Sequence, residues 1–112
     1  DINKENELED TPLFYACKSG NENLVRYLIE RGADINKENN GQETPFFYAC
    51  INGNEHLIQY LVELGVDINK ESKWNETPLC YACKSGNEDI VKFLVVLGAD
   101  VNKENVDNKT PL

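Results

Sequence analysis

The chain has 112 residues, 40% of them hydrophobic and 28% charged, the balance of one soluble globular domain with room for a core. Its 20 acidic and 11 basic residues leave a formal charge of -9, which repels a phosphate backbone and excludes nucleic acid as an expected ligand. The longest apolar stretches, such as Phe93 to Leu97, fall far short of the roughly 20 residues of a membrane span. No basic-then-apolar signal pattern opens the sequence, so no membrane association is expected.

From the N-terminus, Asp1-Ile2-Asn3-Lys4-Glu5 begins a polar, turn-rich stretch that ends at Thr11-Pro12. Thr11 reads as a helix N-cap whose hydroxyl takes a free backbone N–H, and Pro12 occupies the first helical position, where no donor is missed. Leu13, Ala16 and Cys17 share one face of this short helix, and Gly20 ends it in the left-handed conformation. Asn21 caps a second helix with Glu22 in its first turn, and Leu24, Val25, Leu28 and Ile29 form its predicted buried stripe, closed by Gly32. Residues Ala33 to Glu43 place Asp, Asn and Gly where turns need them, so they are expected to project as a hairpin-like finger.

The whole pattern then recurs. Thr-Pro falls at Thr11, Thr44, Thr77 and Thr110, each 33 residues from the last, and Asp-Ile-Asn-Lys-Glu returns from Asp34 and Asp67, with Asp100-Val101-Asn102-Lys103-Glu104 as its fourth copy. Helices below about 12 residues are marginal in water, and one pair has half a core, so stacking is obligatory. The sequence predicts an all-α solenoid forming one domain over residues 1–112, with units at 11–43, 44–76 and 77–109 and partial units at both ends. The start inside a finger and the stop at Pro111-Leu112 suggest a piece of a longer array. An apolar end face is therefore expected, with weak end-to-end self-association.

Thr11-Pro12-Leu13-Phe14-Tyr15-Ala16-Cys17-Lys18-Ser19-Gly20, with Gly32-Ala33-Asp34-Ile35-Asn36 downstream, resembles the ankyrin repeat over the whole chain. The resemblance implies L-shaped units, with short helices and fingers lining a concave groove, longer helices on a convex back, and protein binding as the function. Two departures stand out. The family usually has His as the fourth residue of the Thr-Pro start, where this chain has Phe14, Phe47 and Cys80, so the polar link to the cap threonine is absent. The glycine usual two residues before that threonine is Glu9, Gln42, Asn75 and Asn108 here. Only Asn tolerates a left-handed backbone cheaply, so finger tips of altered shape are expected in the first two units.

Chemistry-bearing motifs are few. Cys80-Tyr81-Ala82-Cys83 fits a C-x-x-C pattern, yet Cys83 continues the Cys17 and Cys50 column and no second pair completes a zinc site, so the cysteines read as structural and free. They point to a reducing, cytoplasmic setting. His56 has no nucleophile partner, and Asp10, Glu43 and Glu76 read as charges favouring adjacent helix N-termini rather than an acid–base pair. Neither catalytic residues, metal nor cofactor are expected. Asn75-Glu76-Thr77 and Asn108-Lys109-Thr110 match glycosylation acceptors only because turn asparagines precede cap threonines.

Specificity should lie in the variable exposed columns. In the fingers these are Glu7 and Leu8, Asn40 and Gly41, Lys73 and Trp74, then Val106 and Asp107; on the short helices they are Lys18 and Ser19, Ile51 and Asn52, Lys84 and Ser85. Trp74 reads either as an interface anchor or as packing against a neighbouring finger, with Ile51 and the Tyr15, Tyr48, Tyr81 column as an apolar floor. The expected partner-binding set is Leu8, Lys18, Ser19, Asn40, Tyr48, Ile51, Asn52, Lys73, Trp74, Tyr81, Lys84 and Ser85, and the expected partner a protein. Arg26, Gln59 and Lys92 are expected on the solvated back. A non-catalytic accessory array of an enzyme, or a passive spacer, is the alternative role.

Overall fold

Proline at the first helical position and a left-handed glycine just after the last set the length of every short helix. The computed structural model describes residues 1–102. Among these residues six helices follow in order: α1 (Pro12–Ser19), α2 (Glu22–Glu30), α3 (Pro45–Asn52), α4 (Glu55–Glu63), α5 (Pro78–Ser85) and α6 (Glu88–Val96). Helix and turn are the only regular structures among the described residues, as an all-α solenoid requires. Val106, Asp107, Asn108 and the Thr110-Pro111 cap lie outside them.

The two kinds of helix start differently. Asn21, Asn54 and Asn87 cap α2, α4 and α6 through Oδ1, which accepts from Leu24 N at 3.1 Å, Leu57 N at 3.2 Å and Ile90 N at 3.2 Å. The threonines do not cap through their hydroxyls, contrary to expectation. The N–H of Phe14 is taken by Thr11 O at 3.0 Å, and that of Phe47 by Thr44 O at 3.1 Å, so the donor the hydroxyl would satisfy is already occupied. Thr11 Oγ1 is left buried without a partner, while Thr77 Oγ1 reaches Cys80 Sγ at 3.5 Å.

The short helices α1, α3 and α5 pack side by side, and each is backed by its own longer helix. Leu13, Phe46, Leu79, Val25, Leu57, Ile58, Leu61, Ile90 and Leu94 are fully or almost fully buried along the resulting core. Each such side chain contributes about 1.5–3 kcal/mol relative to exposure. Phe14 meets Tyr48 edge-on at 5.7 Å and Phe47 meets Tyr81 at 4.9 Å, so the phenylalanines couple one helix pair to the next. At Gly20 an added Cβ would lie 2.2 Å from Asn52 Oδ1, which shows how closely α3 approaches the end of α1. Asn52 Nδ2 donates to Lys18 O at 3.2 Å and Asn54 Nδ2 to Gly20 O at 2.8 Å across that junction.

Leu24 departs from the predicted stripe. It is 42% exposed, whereas its counterparts Leu57 and Ile90 are buried. The difference is positional, because α2 has no described helix pair stacked on that side. Leu24, Leu28, Tyr15, Ala16 and Pro12 line an open hollow of about 750 Å³ there.

The fingers are organised by side chains borrowed as turn acceptors. Asn39 Oδ1 accepts from Gly41 N and Glu43 N, both at 3.0 Å, and Asn6 Oδ1 does the same for Leu8 N at 2.9 Å and Asp10 N at 3.0 Å. Ser72 Oγ takes the third copy of this role for Trp74 N at 3.2 Å and Glu76 N at 3.4 Å. Consecutive fingers join through Asn40 N to Leu8 O at 3.1 Å and Lys73 N to Gly41 O at 2.7 Å. The charged columns cross-link them as well, Lys37 to Glu5 and Lys70 to Glu38. The finger tips do not differ in shape as the missing glycines suggested. Glu9, Gln42 and Asn75 all adopt the left-handed conformation, at φ 64°, 56° and 59°, because the same turn bonds impose it on each.

Candidate functional site

Finger tips and short helices meet on one side of the stack. Between the first three fingers they form a cleft of about 280 Å³ lined by Leu8, Asp10, Lys18, Asn39, Asn40, Gly41, Glu43, Tyr48, Lys73 and Trp74. Six of the twelve predicted binding residues therefore converge: Leu8, Lys18, Asn40, Tyr48, Lys73 and Trp74. Leu8 is 61% and Trp74 47% exposed, so two apolar groups stand open to solvent at its rim.

Both readings of Trp74 have a structural counterpart. Its ring edge lies 3.1 Å from where a Cβ on Gly41 would be, so it packs on the preceding finger through the space that glycine leaves. Its outer half remains free. Lys18 Nζ sits 5.1 Å from the Tyr15 ring centroid and 4.6 Å from that of Tyr48, held by aromatic faces rather than by a carboxylate.

The floor is a polar network that the sequence reading did not anticipate. Asp10, Glu43 and Glu76 are buried, Glu43 being only 8% exposed. Glu43 Oε1 accepts from Tyr48 Oη and from Asn39 Nδ2, and its Oε2 accepts from Tyr81 Oη of the following helix pair. Asn39 Nδ2 also donates to Asp10 Oδ1 at 2.9 Å. Burial and the hydrogen bond to Glu43 push both tyrosines well above the ordinary phenol range. Glu76 is served instead by Lys84 Nζ, 2.6 Å from each oxygen. A column of Asp or Glu before each cap threonine, with Asn or Ser four residues earlier, was the signal for this row; burial was the part that spacing could not reveal.

The other predicted residues lie outside the cleft, and Ser19 borders the end hollow beside Leu24 and Leu28 instead. Ile51 is exposed on α3, and Tyr81 and Lys84 on α5 belong to the network just described. Ser19 and Ser85 turn back on their own helices, donating to Ala16 O and Ala82 O at 2.8 Å. Asn52 is engaged at the Gly20 junction. On the back, Arg26 is exposed, as expected, and it also pairs with Glu22 at 2.8 Å and stacks on Tyr60 at 4.1 Å.

The cysteines are free, with Cys17, Cys50 and Cys80 buried and Cys83 half-buried. Burial pushes the Cys17 thiol up to about 12 and raises those of Cys50 and Cys83. Among the described residues no cluster of three or more His, Cys, Asp or Glu side chains is placed to hold a metal. Nor is any helix there long and apolar enough to cross a membrane.

Stacked helix pairs with a side-chain-lined concave cleft define a helical repeat scaffold of the kind that presents a surface. The family model described as ankyrin repeats (3 copies) matches residues 1–72 and 65–112. The chain belongs to the ankyrin-repeat family, whose repeats are generally protein–protein interaction modules without catalysis of their own.

Proposed function

We propose that the protein binds a protein partner through the concave groove and finger tips, with Leu8 and Trp74 as apolar anchors and Lys18, Asn40 and Lys73 as the polar rim. The observation that carries this reading is the cleft itself. It gathers exposed apolar groups beside charged ones over a floor whose polar atoms are already hydrogen-bonded to each other. Such a surface excludes water from a partner's apolar side chain while leaving few of its own groups unsatisfied. Ile51, Tyr81 and Lys84 extend it along the stack. Ser19, Asn52 and Ser85, whose side chains are engaged internally, contribute shape. The four free thiols support a reducing, cytoplasmic setting, and the Leu24 and Leu28 face is where weak end-to-end self-association would run.

The test is capture of partners from a lysate by the wild type and by Trp74→Ala, with the captured partner then titrated. Truncating the anchor should weaken binding by about 2 kcal/mol or more, whereas Lys92→Ala on the back should change it by less than about 1 kcal/mol. Circular dichroism must show that both variants keep the helical fold. Loss of binding in Lys92→Ala with retention in Trp74→Ala would sink the groove reading. It would redirect attention to Val96, which is 82% exposed on the back.

A further inference from the structure

The geometry points to an acidic, apolar segment as the occupant of the cleft: an aliphatic side chain against Trp74 and Leu8, with a carboxylate engaged by Lys18 and Lys73. This inference rests on the groove reading above and specifies its ligand. Lys37, Lys70 and Lys84 are each held by a carboxylate, Glu5, Glu38 and Glu76 respectively. Lys18 and Lys73 have no carboxylate partner among the described residues, and both are exposed at the same cleft.

In a chain of net charge -9, two unpaired ammonium groups at one cleft run against the average surface. Lys18 is also positioned: the Tyr15 and Tyr48 rings fix its ammonium without neutralising it. The cleft's own carboxylates, Asp10 and Glu43, do not compete for these groups at the surface. They are buried, and they accept from Asn39, Tyr48 and Tyr81. A partner thus meets donors and apolar surface, while the buried acids lie behind them. Exposed acidic residues elsewhere repel an acidic ligand at long range, but that repulsion fades beyond about 8 Å at physiological ionic strength. Contact chemistry then favours a carboxylate, since charge-assisted N–H to carboxylate bonds are about twice as strong as neutral ones.

The chain's only tryptophan is Trp74, so its fluorescence reports this cleft alone. The probes are three acetylated, amidated hexapeptides that alternate leucine with glutamate, glutamine or lysine, titrated into the whole chain at low and at physiological salt. The glutamate peptide should reach half-saturation of the Trp74 signal at about tenfold lower concentration than the lysine peptide, a gap that narrows as salt is raised. The double variant Lys18→Glu with Lys73→Glu, whose fold is checked by circular dichroism, should reverse the order. Lysine or glutamine peptides that saturate as readily as the glutamate peptide overturn the acidic assignment and leave the groove reading in place. An order unchanged in the double variant overturns it equally. If none of the three moves the Trp74 signal at millimolar concentration, the groove reading falls, and this inference with it.

Discussion

Asn39 is the residue on which the second finger and the buried acids both depend, and Asn39→Ala tests that directly. Its Oδ1 satisfies Gly41 N and Glu43 N, and its amide donates to Asp10 and Glu43 at 2.9 Å each. Alanine removes two neutral hydrogen bonds worth about 1 kcal/mol each and two to carboxylates worth about 1.5–3 each. Simple addition gives about 5–8 kcal/mol, an upper bound, because the finger base adjoins solvent and water can enter the space vacated by the amide. We expect a loss of about 3 kcal/mol, or a melting temperature lower by about 15 °C. Asn6→Ala is the internal comparison. Asn6 holds the equivalent turn in the first finger, but it is exposed, and its amide donates to Tyr15 Oη rather than to buried acids. Its loss should stay below about 1 kcal/mol. Urea unfolding followed by circular dichroism measures both. Equal losses in the two variants would refute the claim that the buried carboxylates make Asn39 costly to remove.

Three further outcomes follow from particular geometries. Gln42→Gly should stabilise the protein by about 0.5–1 kcal/mol, since a side chain at φ 56° carries a left-handed penalty that exceeds glycine's entropic cost, while Asn75→Gly should be nearly neutral; a destabilised Gln42→Gly in thermal melts would contradict this. Native protein should expose one thiol to a disulfide reagent, the half-buried Cys83, reacting slowly because its pKa is raised, and all four only when unfolded; native reaction at Cys17 or Cys50 as fast as at Cys83 would be inconsistent with their deeper burial. Tyr48 and Tyr81 keep their protons in the folded state above the ordinary phenol pKa of about 10, so their contribution is fully present below that pH and is lost progressively above it. Tyrosinate absorbance should therefore show these two ionising together with alkaline unfolding, not before it.

Period and local chemistry determined a large part of this protein without reference to its tertiary structure. Four Thr-Pro steps 33 residues apart, with Gly20 and Gly32 as stops, specify helix pairs because helix ends are decided by caps and by backbone conformation within a few residues. The candidate groove was legible for the same reason: exposed variation at Leu8, Lys18, Asn40, Lys73 and Trp74 stands out against invariant columns. Other properties belong to the stack. That Thr11 would cap by its carbonyl and leave its hydroxyl without a partner depends on competition for the Phe14 N–H, which no sequence pattern ranks. That Gln42 would take a glycine's conformation was decided by the turn bonds around Asn39 and the pairing of neighbouring fingers. Glu43 shows the division most clearly. Its charge beside a helix N-terminus could be read locally. Its burial, and its hydrogen bonds to Tyr48 on one helix pair and Tyr81 on the next, exist only because stacking removes water from a junction whose two sides lie 38 residues apart in the chain.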